Sequence, residues 1–212
     1  MTDYQMNAAS ALGTLGTLIG LVRAVPQLVT LLRTRKSHGV SVDTAATSSA
    51  LSFGWATYGV LTGQPYVSLA TSSSGCVFAA ITVFALRFGR AVREFKIAPL
   101  WLVVLLVVGS IGGAKWLGLL LPVSVLAANL PQIWVAYREW NLAELSAGTW
   151  LLSTADGLVW GAYSLVQSDA SILVFACFQA TTSATIVALK LAHSWAERRS
   201  PITSDTIDEE SP

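Results

Sequence analysis

Apolar residues along this chain come in long unbroken runs rather than in alternation. Charge-free stretches cover 44–61, 66–86, 97–114, 116–137, 149–167 (interrupted only by Asp156) and 170–189, each 18 to 22 residues long. Residues 8–32 form a similar run, broken only by Arg23. About 20 apolar residues in helical form span the hydrocarbon core of a bilayer, whereas the strands of a membrane barrel would be shorter and would alternate. The pattern therefore predicts an all-α membrane protein with seven transmembrane helices, the fourth of them Gly-rich (Gly109, Gly112, Gly113). Composition agrees, with 53% hydrophobic and 12% charged residues against about 25% charged in soluble domains. The first apolar run is too long for a signal peptide and lacks a basic flank, so it is expected to remain as an anchor. The polar tail 195–212, with Asp205, Asp208, Glu209 and Glu210, is expected to be disordered.

Basic residues fix an expected orientation. With seven crossings, Arg33, Arg35 and Lys36, then Arg87, Arg90, Arg93 and Lys96, then Arg138, then Lys190, Arg198 and Arg199 all fall on one side, and only Lys115 falls on the other. The positive-inside rule then puts the N-terminus outside and the C-terminus in the cytoplasm.

The chain also repeats itself at an offset of 105. Pro26, Gln27, Arg33, Ser41, Thr44, Ser48, Ala50, Trp55 and Tyr58 recur without a gap as Pro131, Gln132, Arg138, Ser146, Thr149, Ser153, Ala155, Trp160 and Tyr163. Three-helix units placed in tandem would be mutually inverted, and one extra crossing restores parallel orientation. The expected organisation is thus a first three-helix repeat (1–96), a linker helix (97–115), a second three-helix repeat (116–194) and the tail. Parallel repeats of this kind place a solute route between the halves.

Pro26 and Pro131 lie inside predicted helices. Neither can donate to the carbonyl one turn earlier, so each weakens its helix, and the freed carbonyl must face protein, water or solute. The neighbouring Gln27 and Gln132 supply polar partners, which makes the two Pro-Gln pairs candidate hinges. Pro122 adds a second break in the fifth helix, where the first repeat has Thr17.

Pro26-Gln-Leu, followed by Arg33-Thr-Arg-Lys-Ser37 and Gly39-Val-Ser41, resembles the PQ-loop repeat. Asn129-Leu-Pro-Gln-Ile133 with Arg138 and Ser146 matches less completely, since it lacks counterparts of Lys36, Ser37 and Gly39. The resemblance covers roughly residues 8–194 and is to the SWEET and PQ-loop superfamily of small-solute transporters. It implies the same three-plus-one-plus-three plan and a carrier function.

Trp55 and Trp160, with Tyr58 and Tyr163 one turn later, occupy equivalent positions in the outer half of their helices. They read either as interfacial anchors or as paired indole faces around a solute, and the resemblance implies the second, since SWEET-like proteins use a Trp here in a sugar pocket. Such proteins also carry an Asn about 16 residues after that Trp. This chain has Thr71 and Ala176 there instead. The third helix offers Thr71-Ser72-Ser73-Ser74, from which Ser73 is a candidate ligand, and the seventh offers Gln179 with Thr181, Thr182 and Ser183. Hydroxyls of this kind also bond to their own helix or allow close packing.

Two charges fall inside spans. Arg23 lies ten residues before Arg33, roughly 15 Å by helical rise, and Asp156 shares a helix face with Trp160. Their repeat partners are Ala128 and Leu51, so neither belongs to the shared scaffold. A charge at the bilayer centre costs about 2.5–3.5 kcal/mol or more and is usually paired or functional. Arg23 and Asp156 are expected to meet, as a gate, as ligands of a zwitterionic solute, as part of a proton-coupled mechanism, or as a scaffold salt bridge. Asn129 is the single Asn inside a span and is a candidate pocket residue. Cys76 and Cys177 are expected to be packing residues.

Other classes are disfavoured. His38 and His193 sit at the cytoplasmic edge, one buried Asp is not an acid–base pair, and no phosphate loop or metal cluster is present, so no enzymatic activity, cofactor or metal is expected. A net charge of +1, with the cations at helix ends, points to lipid rather than nucleic acid as a partner. Self-association is compatible with the sequence. The expected function is facilitated diffusion of a small polar solute, sugar first. A proton-coupled amino-acid carrier and a non-transporting receptor or scaffold are the alternatives. The absence of a glycosylation sequon and the short length favour a bacterial inner membrane.

Overall fold

The computed structural model describes residues 3–37, 40–138 and 147–199, with the side chains of 3–5, 131, 135 and 196–199 outside that description. It contains α1 (Asp3–Thr34), α2 (Val42–Leu61), α3 (Pro65–Arg87), a short 3-10 turn (Val92–Glu94), α4 (Ala98–Arg138), α5 (Ala147–Gln167) and α6 (Ala170–Arg199). His38, Gly39, Ser146 and the tail from 200 onward lie outside the described residues. The tail was expected to begin at 195, yet α6 stays helical to Arg199.

α4 is broken at Gly113, where φ is 54° and ψ is −143°. Only glycine adopts this conformation without strain. Leu105 and Leu121, 16 residues apart, would be roughly 24 Å apart along one straight helix. Both nevertheless come within 3.1 Å of a Cβ built on Gly54. The chain therefore doubles back at Gly113, and α4 consists of two legs, 98–112 and 114–138. The turn comes earlier than the expected boundary, so Lys115 opens the second leg.

Among the described residues four helical runs are long and apolar enough to cross a membrane, namely Met6–Thr34, Pro65–Arg87, Ala98–Arg138 and Ala170–Trp195. α2 and α5 have 20 and 21 residues but are diluted by hydroxyls, glycines and Asp156. The outward faces are apolar, with Val60, Leu69 and Ile111 at 71%, 61% and 82% exposure. The chain is an all-helical integral membrane protein. Cys76 and Cys177 are exposed rather than packed, because in lipid an apolar residue is as comfortable outside the bundle as inside it.

Helix contacts follow a two-fold pattern. α3 packs on both α1 and α2, and α6 packs on both α4 and α5, while α1 meets α5 and α2 meets α4. Lipid gives helices no hydrophobic reason to associate, so close packing of small residues carries the contact. A Cβ on Gly157 would lie 2.7 Å from the Ala180 nitrogen, and one on Gly16 would lie 2.8 Å from the Trp160 indole.

Two turns 105 residues apart match in backbone detail. Gln64 N–H donates to Gly59 O at 2.7 Å, and at the equivalent turn Asp169 N–H donates to Ser164 O at 3.0 Å. The residues before them, Gly63 and Ser168, both have positive φ, 68° and 56°.

One buried cluster joins the two halves around Trp55, Tyr58, Leu117, Leu121, Trp160 and Tyr163. A second, around Leu31, Val42, Ile81 and Ala85, belongs to the opposite end of α1–α3. At that end Ser37 Oγ donates to Phe88 O at 2.9 Å and Arg90 Nε donates to Ser37 O at 3.1 Å. Asp43, in the first turn of α2, accepts the backbone N–H groups of Lys96, Ile97 and Ala98 at 2.9–3.0 Å and so caps α4. Burial opposes its charge, but these three donors and the Lys96 ammonium outweigh it and hold the carboxyl below its ordinary value.

Candidate functional site: a central cavity between the two halves

A cavity of about 430 Å³ lies between the halves. Helical spacing explains its walls. On α1 the lining residues are Gly16, Gly20, Arg23 and Gln27, and on α5 the series Thr149, Ser153, Asp156 and Trp160 lines it with Trp150 beside its first member. Each set steps by four, three and four residues, which is one face of a helix. Ser48, Ser52 and Trp55 line it from α2, Ser124, Ala128 and Asn129 from α4, Thr71 and Ser74 from α3, and Phe175 and Gln179 from α6. Many of these are repeat partners: Ser48 with Ser153, Trp55 with Trp160, Gly20 with Val125, Ala70 with Phe175, and Ser74 with Gln179.

The two indoles close one end. Trp55 and Trp160 are 8% and 7% exposed. Trp55 meets Phe175 edge-on with centroids 5.1 Å apart, and each Trp meets the Tyr three residues on, at 5.5 Å for Tyr58 and 5.3 Å for Tyr163. A small pocket of about 50 Å³ is lined by both indoles together with Val67, Thr71, Ile172 and Phe175.

Arg23 and Asp156 are paired inside the cavity. Arg23 Nη1 donates to Asp156 Oδ2 at 3.1 Å, and the two side chains are 34% and 8% exposed. Asp156 Oδ1 is buried and makes no hydrogen bond of good geometry among the described residues.

Tyr58 and Tyr163 were expected to line the pocket, and they do not. They lie one turn beyond the indoles, in the core that joins the halves. Tyr58 Oη donates to Asp169 Oδ2 at 2.7 Å, the Gln64 amide donates to the same oxygen, and Ile172 N–H donates to Asp169 Oδ1 at 2.9 Å. Tyr163 Oη is buried and makes no hydrogen bond of good geometry among the described residues, although the Gln167 side chain lies beside it. Gln64 and Asp169 had not been singled out from the sequence. The signal for them was available, because they are repeat partners immediately preceding α3 and α6.

Ser73 is a second correction. Its hydroxyl donates to Ala70 O at 2.9 Å in its own helix, and the cavity is met instead by Thr71 and Ser74. Asn129 and Gln179 reach the wall, but each is engaged: Asn129 Nδ2 donates to Thr182 Oγ1 at 2.7 Å and Gln179 Nε2 to Ser183 Oγ at 3.3 Å. Pro26 and Pro131 both sit within continuous helical backbone, in α1 and in the second leg of α4. The Pro131 side chain lies outside the described residues. Gln27 lines the cavity, and Gln132, its partner, is half-buried. A larger groove, about 640 Å³ between α2, α3 and α4, is lined mainly by apolar residues, with the hydroxyls of Ser49, Thr57, Thr82 and Ser110 among them. Among the described residues no cluster of His, Cys, Asp or Glu could hold a metal ion.

No protein-family model and no curated protein matches the chain. The fold is similar to that of a eukaryotic SWEET transporter solved at 3.7 Å resolution, with a TM-score of 0.75 over 92% of this chain and 100% of that one, at 14% identity. At that identity the likeness is one of fold.

Proposed function

We propose that this protein is a membrane carrier that moves a small polar solute by alternating access between two parallel three-helix units, 1–96 and 116–194, linked by the crossing 97–115. Counting the two legs of α4 separately gives seven crossings and brings the two Pro-Gln pairs to the same membrane face. The observation that carries the reading is the central cavity, whose walls come from equivalent positions of the two repeats. A site on a pseudo-twofold axis is what two units rocking against each other would expose in turn. The likeness of fold to a SWEET transporter supports the same reading.

The conformation would be inward-facing. Beyond the indoles the halves share one core, and Tyr58 with Asp169 ties them together. Toward Gln27 and Thr149 the cavity continues between them, at the end that carries Arg33 and Arg138 and is cytoplasmic by the positive-inside rule. The Pro-Gln pairs flank this end and would act as hinges. The facing indoles favour a solute with an apolar face, a property that sugars and many amino acids share.

Counterflow in proteoliposomes with a panel of labelled sugars and amino acids tests the reading. Exchange of at least one solute, lost when Trp55 and Trp160 are both replaced by Ala in protein that still folds, is the expected result. A protein that exchanges none of them is not a carrier of this kind, and the receptor or scaffold reading takes its place.

A further inference from the structure

We infer that the solute held in the central cavity is a zwitterion of the α-amino-acid type, with its ammonium group on Asp156 and its carboxylate on Arg23. The inference rests on the carrier reading and names the substrate class of the same site.

The cavity wall carries two formal charges, of opposite sign, and they touch at a single contact of 3.1 Å between Arg23 Nη1 and Asp156 Oδ2. That contact leaves both partners with capacity. A guanidinium has five N–H donors, and the Arg23 side chain is 34% exposed. Asp156 is 95% buried by residue, at 5% exposure, and the Trp160 indole stands beside its carboxylate, yet its Oδ1 makes no hydrogen bond of good geometry among the described residues. A buried carboxylate oxygen without a donor is costly. The pair thus presents an acceptor for a cation and donors for an anion side by side.

Charge balance selects among solutes. The pair is neutral, and a zwitterion entering it leaves the cavity neutral. A solute with one charge would put an uncompensated ion into a poorly solvated site. A polyol would find several of the neutral polar groups already bonded, Asn129 to Thr182, Gln179 to Ser183 and Thr71 to Val67. Nor does the scaffold need the pair, since the equivalent positions are Ala128 and Leu51. Asp156 stands one helical turn from Trp160, so a solute anchored by its charged end would lay its apolar remainder against the indoles.

Counterflow of labelled leucine and labelled glucose into proteoliposomes tests this, with isoamylamine and 4-methylpentanoate as competitors that each lack one charged end. Leucine should exchange, and each competitor should inhibit at least about tenfold more weakly than unlabelled leucine, because each lacks one charge-assisted contact. The double variant Arg23→Asp with Asp156→Arg keeps the pair but turns it round, pointing the leucine side chain away from the indoles. It should still fold, though with lower stability because the larger side chain takes the more buried position, and exchange leucine at least about tenfold more slowly. If the double variant fails to fold, the competition series on the wild-type protein decides. Glucose exchange that leucine does not compete with overturns the inference and leaves the carrier reading standing, as does full leucine exchange by a folded double variant. Absence of exchange for every sugar and amino acid overturns both.

Discussion

The phenol of Tyr58 donates to Asp169 Oδ2 at 2.7 Å, tying α2 of one half to the turn that precedes α6 in the other. Its repeat partner Tyr163 is wholly buried, and its hydroxyl has only the Gln167 side chain beside it, outside good hydrogen-bond geometry. The two tyrosines therefore differ in what their hydroxyls contribute. Tyr58→Phe should lower the unfolding free energy by about 1.5–3 kcal/mol, the range for a bond to a charged group, while Tyr163→Phe should cost at most about 0.5 kcal/mol, because it removes only a poorly aligned contact with a neutral amide. Denaturant unfolding of the purified protein in detergent measures both. Equal losses at the two positions would remove the special standing of the Tyr58–Asp169 contact.

Gly63 and Ser168 occupy the same left-handed position in equivalent turns, at φ 68° and 56°. Glycine adopts it freely, and an L-residue there pays about 1 kcal/mol. Ser168→Gly should therefore raise stability by roughly that amount, and Gly63→Ser should lower it by about as much, with no Cβ clash since nothing lies within 4 Å of Gly63. Melting temperatures of the two variants should move in opposite directions, and a shift in the same direction would refute the turn argument.

Several parts of this arrangement can be read from sequence, and the reason is periodicity. Long apolar runs mark the helices, and the 105-residue repeat marks which faces correspond. The same repeat isolates Arg23 and Asp156 as charges without counterparts, and the structure pairs them. What the runs do not carry is helix rotation. Four consecutive hydroxyls, Thr71 to Ser74, sample the whole circumference of α3, and only packing decides that Ser74 rather than Ser73 meets the cavity. Tyr58 follows Trp55 by one turn and reads as a pocket wall, but its partner Asp169 sits in a turn 111 residues away. Gly113 lies among three glycines, and only its backbone angles distinguish the one that reverses the chain.

Asp43 links α2 to α4 by accepting three backbone N–H groups, and those donors hold its carboxyl below the ordinary value of 3.8 despite the opposing effect of burial. A carboxyl lowered by folding stabilises the native state fully above its unfolded value, and that stabilisation is lost as pH falls through the lower folded value. Asp43→Asn should thus cost about 0.5–1 kcal/mol near neutral pH, at the low end for helix caps because solvent screens the site. The melting-temperature gap between variant and wild type should narrow below about pH 3.8. A gap that is constant down to the acid limit of folding would show that the charge contributes nothing.

Arg23 and Asp156 share one contact but not one environment, since the arginine side chain is 34% exposed to the cavity and the aspartate 8%. Removing either partner strands the other, and the stranded charge determines the cost. Asp156→Asn leaves a guanidinium that can turn into the cavity and be hydrated. Arg23→Gln leaves a carboxylate with no room to turn, which is the case for which breaking a buried pair costs about 3–5 kcal/mol. The single variants should therefore rank with Arg23→Gln the less stable. The double variant Arg23→Gln with Asp156→Asn should recover most of that loss, because it strands no charge. Unfolding of the three variants in detergent measures the cycle, and a double variant no more stable than Arg23→Gln alone would mean that packing, not the stranded carboxylate, sets the cost.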